Sequence, residues 1–231
     1  MFRITMFAMA VSGLCLCSCA SKQPPSIPVD EAKAIAFVEA LGGTVMRATE
    51  AEVPGKPVVM VVLSKTKVTD AMLKELVGLK NLMSVNLSNT QVTDAGLKEL
   101  APLKNLTILL LMRTQVTDAG LKDLAPHKKL ITLGLSGRKV TDVGMKELAY
   151  FTNLNDLYLL ETKVTDAGLK ELARLKNLTT LDLGFTLVTD AGLKELAPLN
   201  NLTKLNLRST KVTDAGLKEL QDALPNCQIE R

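Results

Sequence analysis

The chain has 231 residues, 47% of them apolar, which is enough for one well-buried core. Aromatic residues make up only 3% and Trp is absent, so aliphatic side chains must fill that core. The formal charge is +4, with acids and bases interspersed along the sequence. A nucleic-acid binder concentrates its cations on one face, so this pattern argues against nucleic acid as a partner.

Residues 1–18 read as a secretory signal: Arg3 supplies a positive start, and residues 4–16 form an apolar run. That run is shorter than the roughly 20 residues a spanning helix needs. It ends in Leu16-Cys17-Ser18-Cys19, which resembles the bacterial lipobox. The resemblance implies cleavage after Ser18 and lipidation of Cys19 at its sulfur. Cys17 stands where Ala or Ser is usual, and an ordinary secretory signal is the alternative. Residues 19–29 are Pro- and Ser-rich, as an extended tether would be. Ala20 resembles the residue found in lipoproteins sorted to the outer membrane. The expected location is therefore the cell envelope, lipid-anchored on the outer-membrane or periplasmic side, or outside the cell if the lipobox is not used. Three of the four cysteines lie in this segment. Cys227 is left alone, so it reads as a buried cap residue and no disulfide framework forms.

Residues 30–41 predict an amphipathic helix, broken by Gly42-Gly43, and residues 44–46 a strand against residues 59–63. Residues 30–58 thus form an N-terminal cap. The tripeptide Val-Thr-Asp then begins at Val68, Val92, Val116, Val140, Val164, Val188 and Val212, always 24 residues apart. A fixed period of this size means a stacked solenoid, here over residues 59–220. In a typical copy Val85 and Leu87 alternate with Ser84, Asn86 and Ser88, the period of a half-buried strand. Thr93-Asp94 predicts a helix start, both side chains accepting its free N–H groups. Leu97 and Leu100 face inward, Lys98 and Glu99 face water, and Pro102, Pro126 and Pro198 end helices. Strands stack about 4.8 Å apart and helices about 8–10 Å, so the array curves with its strands on the concave side. Gly96, Gly120, Gly144, Gly168, Gly192 and Gly216 sit in helix starts, where each costs about 1 kcal/mol against Ala. They read as close contacts between coils, with Met72 replacing Gly where the neighbour is the cap. Residues 221–231 form a C-terminal cap, closing the core with one inserted residue.

The pattern L-x-x-L-x-L-x-x-T-x-V-T-D-x-G-L resembles the leucine-rich repeat, close to the ribonuclease-inhibitor-like and cysteine-containing types. Thr stands where those carry Asn or Cys, and the match covers residues 59–229. It implies an α/β fold: a right-handed solenoid with a parallel concave sheet and short convex helices. It also implies a non-catalytic binding scaffold. With its signal and caps, the chain resembles planctomycete leucine-rich-repeat lipoproteins.

Other columns have plain structural readings. The Asp column from Asp70 to Asp214 is read as helix capping in preference to a cation ladder. The Thr column (Thr66, Thr90, Thr114, Thr162, Thr186, Thr210) is read as hydroxyls bonding loop backbone between coils, interrupted at Arg138. Asn105, Asn177 and Asn201 match a glycosylation sequon that the repeat itself generates. His127 is the single His and reads as a turn residue, so no triad can form. No Cys–His ligand spacing and no phosphate loop occur. The expectation is no enzyme, cofactor, metal site or small-molecule substrate.

Specificity must then come from outward strand positions. Ile108, Leu110 and Met112 are apolar on a face that should be wet, as are Tyr158 and Leu160. Between them lie Thr132, Gly134, Ser136 and Gly137. This predicts a trough about one side chain wide, flanked at one end by Arg113, Arg138, Glu161 and Phe185. The expected ligand is an apolar side chain or extended segment of a partner protein or peptide. The competing expectation is a structural, self-associating envelope protein.

Overall fold

The computed structural model describes residues 29–49 and 56–231. The signal, Cys19 and nearly all of the tether lie outside the described residues. Helix α1 spans Val29–Ala40 and buries Ala34 and Val38 against the first coil. Gly42, at φ +76°, turns the chain into β1 (Thr44–Arg47), which runs antiparallel to β2 (Val58–Val62). Arg47 pairs with the nearly buried Glu31 at 2.9 Å, fixing α1 to this edge.

Each further coil adds one three-residue strand: β3 (Ser84–Asn86), β4 (Ile108–Leu110), β5 (Thr132–Gly134), β6 (Asp156–Tyr158), β7 (Thr180–Asp182), β8 (Lys204–Asn206) and β9 (Gln228–Glu230). From β2 onward the strands are parallel, in chain order and offset by 24 residues per step. The helices are α2 (Asp94–Leu100), α3 (Asp118–Leu121, continued by a tighter turn to Leu124), α4 (Asp142–Leu148), α5 (Asp166–Leu172), α6 (Asp190–Leu196) and α7 (Asp214–Ala223). Val85, Leu87, Leu97 and Leu100 are completely buried, as are their equivalents through most of the stack. None of these short elements has a core of its own. Each coil removes its aliphatic side chains from water only against the coils beside it.

The polar columns hold the coils together differently from the sequence expectation. Thr93 alone caps α2, its hydroxyl oxygen accepting the Ala95 N–H at 3.2 Å. The Asp does not cap its own helix. Asp70 reaches into the next coil, where Oδ1 accepts the Thr93 N–H at 2.7 Å and Oδ2 accepts its hydroxyl at 2.6 Å. The same pair of bonds recurs from Asp94 to Thr117, Asp118 to Thr141, Asp142 to Thr165, Asp166 to Thr189 and Asp190 to Thr213. These bonds hold the Asp190 carboxyl below its ordinary pKa. The helix glycines face these carboxylates: a Cβ on Gly168 would meet Asp142 Oδ1 at 2.4 Å. In the first coil Thr69 makes no side-chain cap bond, and a 3₁₀ segment, Asp70–Gly78, replaces the α-helix.

The Thr column also departs from expectation. Thr90 donates to the Leu87 carbonyl of its own coil at 2.6 Å, and Thr66, Thr114, Thr162, Thr186 and Thr210 do likewise. Bonds between coils at that loop come instead from backbone N–H groups three residues after each strand, such as Asn89 to the Met112 carbonyl at 2.8 Å. On the return turns Asn105, Asn153, Asn177 and Asn201 each donate an amide hydrogen to a carbonyl of the preceding coil. At the far end Arg231 pairs with Asp214 and donates to the Val212 carbonyl, groups that the next coil's Thr and loop would otherwise engage.

Candidate functional site

The outward strand positions form one face of the sheet. Sequence places Asn or Asp at its central column in β3, β7 and β8, and each does a local job. Asn86, Asp182 and Asn206 accept the backbone N–H two residues on, each at 3.0 Å. The coils between carry Leu110, Gly134 and Tyr158, none of which can make that bond. Ile108, Leu110, Met112, Tyr158 and Leu160 are all half-buried on this face.

The predicted trough is not an open slot. Gly134 is buried, because Leu110 and Met112 lean over it: a Cβ there would meet Leu110 Cδ2 at 3.2 Å and Met112 Cγ at 3.3 Å. Ser84, Ser88 and Ser136, expected to be wet, are buried as well. Large side chains flanking small ones collapse onto them, so the apolar residues make a platform. Leu160 covers Gly184 in the same way, 2.8 Å from where a Cβ would stand.

The hollow lies one step further on. A depression of about 330 Å³ is lined by Tyr158, Thr180, Asp182, Lys204, Asn206 and Glu230, among others. Asn206 Nδ2 donates to Asp182 Oδ1 at 2.8 Å, fixing its floor. Tyr158 borders both regions; burial first, then Asp156 and Asp182, push its phenol pKa up, so it stays a neutral hydrogen-bonding group. Lys204 and Glu230 bring charge to the hollow, and Arg208 lies 3.7 Å from Glu230.

The flanking residues resolve into a column. Lys65, Asn89, Arg113, Gly137, Glu161, Phe185 and Ser209 each follow a strand with positive φ. Gly137, at φ +129°, is the residue of that column with no side chain, and Arg113 reaches across it to Glu161 at 3.1 Å. Phe185, 56% exposed, continues the line. Arg138 is not in this column; it takes the place of the next residue, the Thr.

His127 sits in the return turn as expected, and its ring also packs inward. It occupies the buried column of Leu103, Phe151, Leu175 and Leu199 and is itself fully buried. Nδ1 lies 3.1 Å from the Leu103 carbonyl, so that nitrogen is assigned the proton. Burial lowers its pKa most; the bond to Leu103 opposes this and Lys104 adds to it. Burial therefore favours the neutral ring in the folded chain. Stability is full above the unfolded pKa of about 6.5 and falls as pH drops through that value toward the depressed folded one. Urea midpoints at pH 7.5 and pH 5.5 are expected to differ for the wild type, and His127→Leu is expected to remove most of that difference. Among the described residues no cluster of three or more His, Cys, Asp or Glu could hold a metal ion.

A family model described as Leucine Rich repeat matches residues 78–101, 174–197 and 199–220. The structure of internalin C2 from Listeria monocytogenes is 30% identical, with TM-score 0.64, over 88% of this chain and 83% of that one. The chain belongs to the leucine-rich-repeat family. A leucine-rich-repeat protein of Leptospira interrogans is 31% identical with TM-score 0.55, over 68% of this chain and 39% of its own. An internalin of Listeria monocytogenes, at 22% identity, TM-score 0.55 and coverage of 76% and 54%, shares the fold. Among curated proteins none matches. Leucine-rich-repeat proteins are in general protein-binding scaffolds and typically non-enzymatic.

Proposed function

We infer that this leucine-rich-repeat chain is a non-catalytic scaffold of the bacterial envelope, lipid-anchored through Cys19, that binds a protein or peptide on its sheet face. The observation that carries the binding reading is the exchange in the central column. Leu110, Gly134 and Tyr158 stand where Asn86, Asp182 and Asn206 bond the backbone. At Leu110 and Tyr158 the local hydrogen bond is traded for half-exposed apolar surface, which gains a bare scaffold nothing; a partner that covers the surface supplies the gain. The platform takes an apolar segment, and the adjoining hollow takes polar or charged groups beside it. The resemblance of Leu16-Cys17-Ser18-Cys19 to a lipobox supports the anchored location.

A photo-crosslinking residue at Leu110 or Tyr158 in growing cells is expected to trap a heterologous protein, and one at the convex Lys146 is not. With that partner in hand, Leu110→Asp and Tyr158→Ala are each expected to weaken binding by about tenfold or more. Lys204→Ala is expected to cost only a few-fold, as a rim charge. Crosslinks solely between copies of this chain would favour the self-associating reading instead.

A further inference from the structure

The return turns between each helical segment and the next strand line up as one long edge of the solenoid: residues 77–83, 101–107, 125–131, 149–155, 173–179, 197–203 and 224–227. That edge carries Lys80, Lys104, Lys128, Lys129, Arg174 and Lys176, all exposed, and no Asp or Glu within the turns; exposed Asp222, at the end of α7, borders the last of them. None of the six is ion-paired among the described residues. Lys128 lies 5.9 Å from the Phe151 ring, Lys129 donates to Asn105 Oδ1 at 2.9 Å, and Lys176 to the Pro198 carbonyl at 3.4 Å. Cations that are interspersed with acids in sequence order thus segregate in space. The convex row differs: Lys74, Lys98, Lys122, Lys146, Lys170, Lys194 and Lys218 are each followed by an acid, so that face is balanced.

Two further features sit on the same edge. Met83, Ile131 and Tyr150 are 43%, 42% and 67% exposed there. The chain also enters the described fold beside it. The Asp30 carbonyl oxygen lies 2.5 Å from where a Cβ on Gly78 would stand, so the start of α1 sits two residues from Lys80. Asp30 and Glu75 border that end, and Glu75 is engaged by Lys33 at 2.9 Å. Unpaired cations around exposed tyrosine and aliphatic side chains fit the phosphate and interfacial layers of an anionic bilayer.

We propose that this edge lies on an anionic lipid leaflet. Its cations sit on headgroup phosphates and Tyr150 at headgroup depth, which leaves the sheet face turned sideways and open. The charge argument stands without the anchor; the anchored reading adds only that the tether leaves at one end of the edge.

The test is cosedimentation of the full chain with phosphatidylcholine vesicles and with vesicles containing phosphatidylglycerol. The neutral vesicles measure whatever the apolar N-terminal run contributes. Gln at Lys80, Lys104, Lys128, Lys129, Arg174 and Lys176 is expected to weaken binding to the anionic vesicles by about tenfold or more, since each cation near such a surface is worth about fivefold. Gln at Lys74, Lys98, Lys122, Lys146, Lys170 and Lys194 removes the same charge and is expected to change binding by about twofold at most. Equal losses in the two sets, or no loss in the first, would overturn the proposal. Because the chain has no Trp, Tyr150→Trp gives a single reporter that needs no charge removed. Its emission is expected to shift to the blue with anionic vesicles, while Val143→Trp on the convex side stays unshifted; an unshifted Tyr150→Trp would also overturn it. Leu110→Asp is expected to bind vesicles normally, so a failed partner site and a failed lipid edge are told apart.

Discussion

Leu157→Ala is expected to cost about 3–5 kcal/mol, read as a fall in the urea midpoint at unchanged slope. Leu157 is fully buried in β6, in register with Leu133 of β5 and Leu181 of β7. Truncation removes its transfer energy and leaves a void shared by two inter-coil contacts. The parallel ladders on both sides hold the backbone in place, so the site closes poorly around the gap. Ile229→Ala in β9 makes a useful comparison. Ile229 is only partly buried and meets Leu205 from one side, so about 1–2 kcal/mol is expected there. Equal costs at the two places would contradict a core built from nearest-neighbour coils.

The second large effect is expected at Gly192. Alanine would ordinarily gain about 1 kcal/mol over glycine in a helix. Here its Cβ would stand 2.3 Å from Asp166 Oδ1 and 3.1 Å from Asp166 Cα. The carboxylate must leave, and with it go the bonds from the Thr189 N–H at 2.8 Å and the Thr189 hydroxyl at 2.6 Å. A net loss of about 2–4 kcal/mol follows from two charge-assisted bonds broken beside a shifted backbone. Asp166→Ala alone is expected to cost about 2–3 kcal/mol by the same bonds. The decisive measurement is the double-mutant cycle. Once Asp166 is Ala, adding Gly192→Ala is expected to cost under about 1 kcal/mol, because the clashing oxygen is gone. Strict additivity would mean that Gly192 is not there for the carboxylate.

What the sequence conveyed well was the spacing of the repeat and its inward aliphatic positions. The Val-Thr-Asp interval fixed coil length, strand position and the inward identity of Leu97 and Leu100, and all of these hold. Capping was misassigned because the capping rule is local: Thr93-Asp94 satisfies it within one helix, and nothing in that dipeptide says the carboxylate reaches a Thr 23 residues later. The left-handed column escaped notice for a related reason. Lys, Asn, Arg, Glu, Phe and Ser adopt it beside a single Gly, so no glycine signal marks it, and coil closure imposes the conformation. At the site, the apolar outward residues were legible, but their collapse onto Gly134 depends on side-chain reach across strands. The hollow was missed because Glu230 was read as part of a cap; it belongs to a ninth strand that extends the face.

The Asp-to-Thr clasp has one more implication. Because the same bonds join six successive pairs of coils, any cut made at one Asp and rejoined a whole period away rebuilds an ordinary joint. A gene encoding such an array can grow or shrink by complete turns through slipped recombination without composing a new junction. The distance between two outward positions, such as Tyr158 and Lys204, is then an inheritable length, adjustable in steps of one strand width.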